Sequence, residues 1–172
     1  MILWRINTQT KKYQADDISG SGAQQAGGRW NQVGTAMLYC TQNISLACLE
    51  TMAHLNSELL WLERYLIKID IPDDLANKFD CPNHSDLPAH WNINPYIQNS
   101  SDYGTNWANR NNSLGIILPS SIIQEENVVC LNPRHPRYSE VNATVIRKWE
   151  YDERIVRVQS NYVFPMTRGR EK

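Results

Sequence analysis

Three things are scarce in this chain of 172 residues: surplus charge, long apolar runs and clustered cysteine. Lys plus Arg (17) and Asp plus Glu (18) nearly cancel, leaving a formal net charge of −1. A nucleic-acid binder gathers basic residues on one face, because phosphate contacts supply its affinity. Here they are scattered, so direct nucleic-acid binding is not expected. No stretch reaches the roughly 18 apolar residues that a membrane span needs. Arg5 and Asn7 interrupt the apolar start too early for a secretion leader. The four cysteines (Cys40, Cys48, Cys81, Cys130) are widely spaced, with no CxxC pair. In a chain long enough to build its own core they read as reduced thiols rather than a disulfide frame, which points to the cytoplasm. Cys81-Pro82-Asn83-His84 offers one CxxH pair with His90 nearby, but no second pair completes a tetrahedral site, so no metal is expected. His54, His84, His90 and His135 read as structural or surface histidines.

What is present is an ordinary globular balance, 41% hydrophobic and 20% charged. The length fits one domain, read here as residues 1–160, with a basic, unpatterned tail over 161–172 that is mobile or partner-bound. A first strand is expected from Leu3 to about Thr10. Ser19 to Gly34 is rich in Gly, Ser, Gln and Ala and reads as a long loop. Met37 to Cys40 is a buried strand, followed by a helix from about Ser45 to Leu55 with Ser45 as its N-cap. Tyr65 to Ile71 alternates with period two, putting Tyr65, Ile67, Ile69 and Ile71 on one face until Pro72 ends the strand. Asp80 to Ser113 reads as mostly irregular with one short helix. Leu114–Leu118, Val128–Leu131, Ala143–Trp149 and Arg154–Val158 supply further strands. The fold class expected is α+β, with a mainly antiparallel sheet and few helices.

Glu50 is the main anomaly. At 100° per residue it falls beside Leu46 on a helix whose other positions, Cys48, Leu49, Met52 and Ala53, make it look buried nearly all round. A buried carboxylate is costly unless paired or working. The plainer reading is a helix edge facing solvent. Gly27-Gly28-Arg29-Trp30-Asn31 is the second feature. Paired glycines allow close backbone approach, and Arg29 can offer a planar fork of donors to phosphate or carboxylate. Neither GxGxxG nor the P-loop pattern is completed, so a surface arginine on a flexible loop is the competing reading. Trp30 could flank a flat ligand ring or serve the core. Ser120, in Pro119-Ser120-Ser121, follows a strand where a hydroxyl can be presented. GxSxG is absent, and a turn or N-cap serine is the commoner case.

Taken in order, these pieces resemble the RES domain, a toxin family of bacterial toxin–antitoxin pairs. The matching residues are Arg5, Gly28-Arg29-Trp30-Asn31 with Gly34, Leu38-Tyr39, Leu46-Ala47 with Leu49-Glu50, Gly104 with Trp107, Leu118-Pro119-Ser120, and Asn132-Pro133-Arg134-His135-Pro136. The resemblance covers about residues 2 to 146. Arg29, Glu50 and Ser120 match the Arg, Glu and Ser for which the family is named. Thr105 stands where an acidic residue is expected, and Cys40 where a smaller residue is commoner.

The resemblance implies an ADP-ribosyltransferase-like sheet and an enzyme that depletes NAD+ by hydrolysis or phosphorolysis. NAD+ is then the substrate and no cofactor is needed. It also implies a helix-turn-helix antitoxin as partner and a homodimer within that complex. On this basis Glu50 would stabilise the ribosyl cation, Arg29 would hold the pyrophosphate, and Tyr39 would pack against nicotinamide or ribose with its hydroxyl free for a polar contact. Ser120 would hydrogen-bond the nicotinamide amide or ribose, Trp30 would line the substrate, and Arg5 would be a second phosphate ligand. ADP-ribosyl transfer to a protein and a non-catalytic partner-binding domain are the alternatives.

Overall fold

Strand alternation and turn residues build most of the molecule. The computed structural model describes residues 1–11, 13–54, 62–152, 154 and 155. Six strands, β1 (Ile2–Thr8), β2 (Leu38–Thr41), β3 (Arg64–Asp70), β4 (Gly115–Pro119), β5 (Asn127–Leu131) and β6 (Asn142–Trp149), form one sheet in the order β4-β5-β2-β1-β3-β6. Every neighbouring pair of these strands is antiparallel. Four complete α-helices accompany them among the described residues: α1 (Ser21–Ala26), α2 (Ile44–Ala53), α3 (Asp73–Ala76) and α4 (Gln98–Arg110). The fold is therefore α+β with an antiparallel sheet, as the alternating runs implied.

Apart from the largely exposed edge strand β6, the sheet carries buried residues on both faces. Leu3, Leu38, Cys40, Ile67, Ile69, Val129 and Leu131 turn to one side, where Leu75 and Ala76 of α3 and Val141 cover them. The other side carries Ile116, Leu118, Val128 and Cys130 beneath Leu46 of α2 and Trp107 and Ala108 of α4. Ile6 and Leu66 continue that side against Ala47 of α2. The pairing is uneven. β1 matches β3 along its whole length from Ile2↔Asp70 to Thr8↔Arg64, but meets β2 only at Trp4↔Thr41. Beyond Trp4 the sheet opens a seam, bridged by the Arg5 guanidinium, whose Nη1 donates to the Tyr39 carbonyl at 2.7 Å.

Several expectations require correction. The long loop contains α1, whose six residues are too few to show apolar periodicity. The N-cap of α2 is Asn43, not Ser45: its side chain accepts the Leu46 N–H at 2.7 Å. The helix is also not buried all round, since Leu49 is 40% exposed; Leu55, its expected end, lies outside the described residues. The segment read as mostly irregular holds α4, at 13 residues the longest helix described. Its buried positions are Ser100, Ser101, Gly104, Thr105, Trp107 and Ala108, so small and polar residues fill most of a face on which only Trp107 is a large apolar side chain. Arg154 and Ile155 are helical rather than extended. Positions 156–158 and the tail 161–172 lie outside the described residues.

The Asn132-Pro133-Arg134 motif proves to be a helix stop. Asn132 is buried, and its Nδ2 donates to the Ala108 carbonyl at 2.9 Å and to Asn111 Oδ1 at 2.8 Å. It thus satisfies one of the carbonyls that α4 leaves without an intrahelical donor, next to Asn111 in left-handed conformation at φ 54°.

Candidate active site

The α2 helix brings Glu50 over the sheet face that carries Cys130, and the end of β4 brings Ser120 to meet it. The Ser120 hydroxyl donates to Glu50 Oε1 at 2.7 Å. Ser120 Oγ in turn accepts the N–H groups of Ile122 at 3.0 Å and Ile123 at 3.1 Å. Ser120 is therefore a turn serine and a partner of the carboxylate at once: two backbone donors aim its single proton at Glu50. It is fully buried, whereas Glu50 is half-buried, so the carboxylate stands at the boundary between core and solvent.

Arg29 approaches from the glycine-rich segment. Gly28 and Asn31 close a tight turn by two backbone bonds, N–H to carbonyl at 2.9 and 3.3 Å, which leaves Arg29 and Trp30 at its tip. A Cβ on Gly28 would lie 2.7 Å from the Tyr39 hydroxyl oxygen and 2.9 Å from Asn31 Oδ1, so any larger residue would have to push these bonded side chains aside. Arg29 Nη1 donates to the carbonyls of Trp91 at 2.5 Å and Ile93 at 2.8 Å, and the guanidinium carbon sits 6.0 Å from the Tyr96 ring centre. One nitrogen is thus spent on anchoring, while Nε and Nη2 retain donors for a ligand. Burial lowers the Arg29 pKa from its ordinary value, and the nearby Glu50 and Tyr39 oppose that shift. Burial likewise raises the Cys130 thiol well above its usual range, helped by Cys40 and Glu50.

Two expectations change here. The Tyr39 hydroxyl is not free: it donates to Asn31 Oδ1 at 2.6 Å and accepts the Trp30 N–H at 3.0 Å. Burial raises its pKa well above the ordinary phenol value. What Tyr39 offers a ligand is ring surface. Trp30 does not line the site either. It is 1% exposed, stacked on Trp91 at 5.9 Å between ring centres and edge-on to Tyr103 at 6.2 Å, so it belongs to the core. Arg5 stands apart from the cluster. By strand alternation it shares Leu3's face, and no described bond ties it to Glu50, Arg29 or Ser120. Its Nε is buried without a partner, and its side chain lines a cavity of about 230 Å³ with Asp17, Ser21 and Leu38.

The sequence did not single out the contacts by which α4 holds the arginine turn. Gly104 packs so closely that an added Cβ would fall 1.9 Å from the Trp30 carbonyl oxygen. Thr105, where an acidic residue was expected, receives the Gln32 N–H on its hydroxyl at 2.8 Å. A hydroxyl serves that acceptor role without a buried charge. A larger cavity, about 380 Å³, lies away from Glu50, lined by Asp80, Cys81, Tyr103, Trp107 and Arg110. Its carboxylate Asp80 accepts the Trp107 indole N–H at 2.7 Å, a fold contact rather than reaction chemistry. Among the described residues no three His, Cys, Asp or Glu side chains gather as they would around a metal ion. No helix among them is long and apolar enough to cross a membrane.

Comparison with known proteins gives consistent matches. The family model described as RES domain matches residues 2–152. A Sphingobium protein named Prs ADP-ribosylating toxin is 42% identical over 154 residues, spanning 90% of this chain and 96% of the relative. A Yersinia enterocolitica protein named Toxin Res is 34% identical over 145 residues, spanning 84% of this chain and 92% of the relative. Among solved structures, a chain of the M. tuberculosis MbcT–MbcA toxin–antitoxin complex superposes with a TM-score of 0.58 over 91% of this chain and 87% of that one. At 14% identity that likeness speaks for the fold alone.

Proposed function

The chain belongs to the RES domain family, and from that premise we propose that it is the toxin of a toxin–antitoxin pair, acting by cleaving the nicotinamide–ribose bond of NAD+. The observation that carries this reading is the Ser120–Glu50 hydrogen bond of 2.7 Å beside an anchored guanidinium. Cleavage sends the C1′–N1 electron pair to nicotinamide, which leaves as a neutral base and needs no general acid. Positive charge grows on the ribose, so a fixed anion is what the transition state requires. Glu50 supplies it, much as carboxylates do in glycoside hydrolysis. The Ser120 proton keeps one carboxylate oxygen oriented and leaves the other for the cation, a ribose hydroxyl or the incoming acceptor.

Arg29 holds the diphosphate with the donors that Trp91 and Ile93 do not use. Tyr39 packs its ring against nicotinamide or ribose. Arg5, at the open seam between β1 and β2 with a buried donor to spare, is the second and more distant phosphate ligand. The acceptor is water or phosphate: its oxygen bonds to C1′ and its proton leaves through Glu50 or solvent. NAD+ is substrate in this scheme and no further cofactor is required. The Toxin Res and MbcT–MbcA names support an antitoxin partner, here taken as a helix-turn-helix protein bound to a toxin homodimer in the cytoplasm. Incubating the purified protein with NAD+, with and without phosphate, tests the reading. Release of nicotinamide together with ADP-ribose or its 1″-phosphate is expected, and intact NAD+ refutes it.

A second reading is favoured by the name of the Sphingobium relative: transfer of ADP-ribose to a protein. It breaks the same bond and uses the same residues, with a protein nucleophile replacing water or phosphate. Labelled NAD+ separates the two, because transfer leaves the label on a macromolecule.

A further inference from the structure

Asn31 is the most fully bonded polar side chain near the candidate site, and the scheme above gives it no task. It is 1% exposed. Its Nδ2 donates to the carbonyls of Ala23 at 2.8 Å, Gln32 at 3.1 Å and Thr35 at 3.0 Å. Its Oδ1 accepts the Tyr39 hydroxyl at 2.6 Å. An amide nitrogen carries two hydrogens, so three carbonyls share them and one bond is bifurcated. The amide can face only one way. Three acceptors demand its nitrogen, and Tyr39, already accepting the Trp30 N–H, has its proton for the oxygen.

One buried side chain thus ties together α1, the segment after the arginine turn, and β2. Asn31 is also the closing residue of the turn whose tip is Arg29. Outside the turn's own backbone, the fastening comes from Asn31, the Tyr39 bond to Trp30, the α4 contacts of Gly104 and Thr105, the stacking of Trp30 on Trp91, and the bonds of Arg29 itself to the Trp91 and Ile93 carbonyls. The α4 contacts act on Trp30 and Gln32; the Asn31 amide is the one that reaches α1 and β2 together.

We propose that Asn31 is a positioning residue for nucleotide binding: it fixes the 28–31 turn between α1 and β2 so that Arg29 meets the diphosphate already aimed. The inference rests on the reading that Arg29 holds the diphosphate. Such bonds act by preorganisation, and a displacement of about 1 Å in a group of this kind can cost on the order of a hundredfold. A residue that only supported the core would lower stability and leave the affinity of the folded molecule unchanged.

Calorimetric titration of ADP-ribose into the full-length protein separates these cases. ADP-ribose carries the diphosphate but no glycosidic bond to nicotinamide, so its binding does not depend on turnover. Wild type, Asn31→Ser, Arg29→Ala and the double variant are compared under conditions where each is folded. Asn31→Ser is expected to weaken binding about tenfold, by moving rather than removing the guanidinium. The double variant is expected to bind no more weakly than Arg29→Ala alone, because Asn31 acts through Arg29. Wild-type affinity in folded Asn31→Ser, or losses that simply multiply in the double variant, overturns the proposal. If Asn31→Ser fails to fold, Tyr39→Phe serves, since it keeps the ring and deletes the hydroxyl through which Asn31 is linked to β2 and to the Trp30 N–H. About threefold weaker binding is then expected, and unchanged affinity counts against the proposal. If wild type binds ADP-ribose with this pattern yet leaves NAD+ intact, the reaction assigned above falls and the positioning role stands.

Discussion

The Ser120 hydroxyl gives its one proton to Glu50 at 2.7 Å while two backbone N–H groups hold its oxygen from the other side. The bond joins the residue just after strand β4 to the middle of a helix 70 positions away, and it fixes the orientation of a half-buried carboxylate.

Glu50→Gln keeps an oxygen that can accept from Ser120 and removes the charge. We expect an unchanged melting temperature within a few degrees and NAD+ turnover reduced at least about a hundredfold, the usual scale for losing one preorganised electrostatic group. Expression toxicity should vanish with it. Undiminished turnover in the folded variant would remove Glu50 from the reaction.

Ser120→Ala acts on both stability and rate. It removes the acceptor of the Ile122 and Ile123 N–H groups in a part-buried turn, where water can replace some of what is lost, so the cost lies at or below the low end of the about 1–3 kcal/mol of a fully buried orphan donor. The denaturation midpoint should fall accordingly. The rate should fall less than in Glu50→Gln, because the negative charge remains. Equal stability to wild type would show that the turn does not need the hydroxyl.

Arg29→Ala should raise the Michaelis constant for NAD+ with a smaller change in kcat, since diphosphate contacts serve ground state and transition state alike. Arg29→Lys should not rescue it. One ammonium cannot bond the Trp91 and Ile93 carbonyls and still present a planar fork outward. A lysine variant with wild-type constants would mean that only charge matters.

The strands were legible because their residues alternate or run apolar, and the sheet buries apolar faces of all of them but β6, which is largely exposed. Glu50 and Ser120 could be suspected from a carboxylate on an apolar helix and a serine after a strand. Their mutual bond could not, for nothing local links positions 70 residues apart. α4 was legible only as one short, unplaced helix, because its buried face sets Ser100, Ser101, Gly104 and Thr105, residues that commonly mark loops, beside Trp107 and Ala108. They fit there because that helix must approach the arginine turn more closely than any apolar side chain allows. The free Tyr39 hydroxyl and the ligand-facing alternative for Trp30 gave way for one reason: sequence spacing does not show that both side chains fold back onto Asn31, Trp91 and Tyr103 within the core.

Gly104→Ala tests that close approach. Its Cβ would lie 1.9 Å from the Trp30 carbonyl oxygen, which is backbone and cannot swing aside. Either α4 or the 28–31 turn must move. We expect a loss of at least roughly 1–3 kcal/mol, the scale of overpacking a core, together with weaker NAD+ binding in whatever fraction remains folded. A Gly104→Ala protein as stable as wild type would mean that α4 does not lie against this turn.

Thiol labelling checks the two faces of the sheet together. Cys40 and Cys130 are buried on neighbouring strands β2 and β5, in the cores of opposite faces. Burial pushes the Cys40 thiol up to about 12 and the Cys130 thiol well above its ordinary value. The thiolate is the reactive form, so neither should react with an alkylating reagent at pH 8 while the protein is folded. Cys81, exposed, should react fast, and Cys48, half-buried with its thiol raised by burial, should react slowly. The expected count is one rapid and one slow equivalent in the native state, and four after denaturation. Rapid modification of Cys130 without denaturant would open the floor of the Glu50 site to solvent and break the argument that Glu50 stands over a closed core.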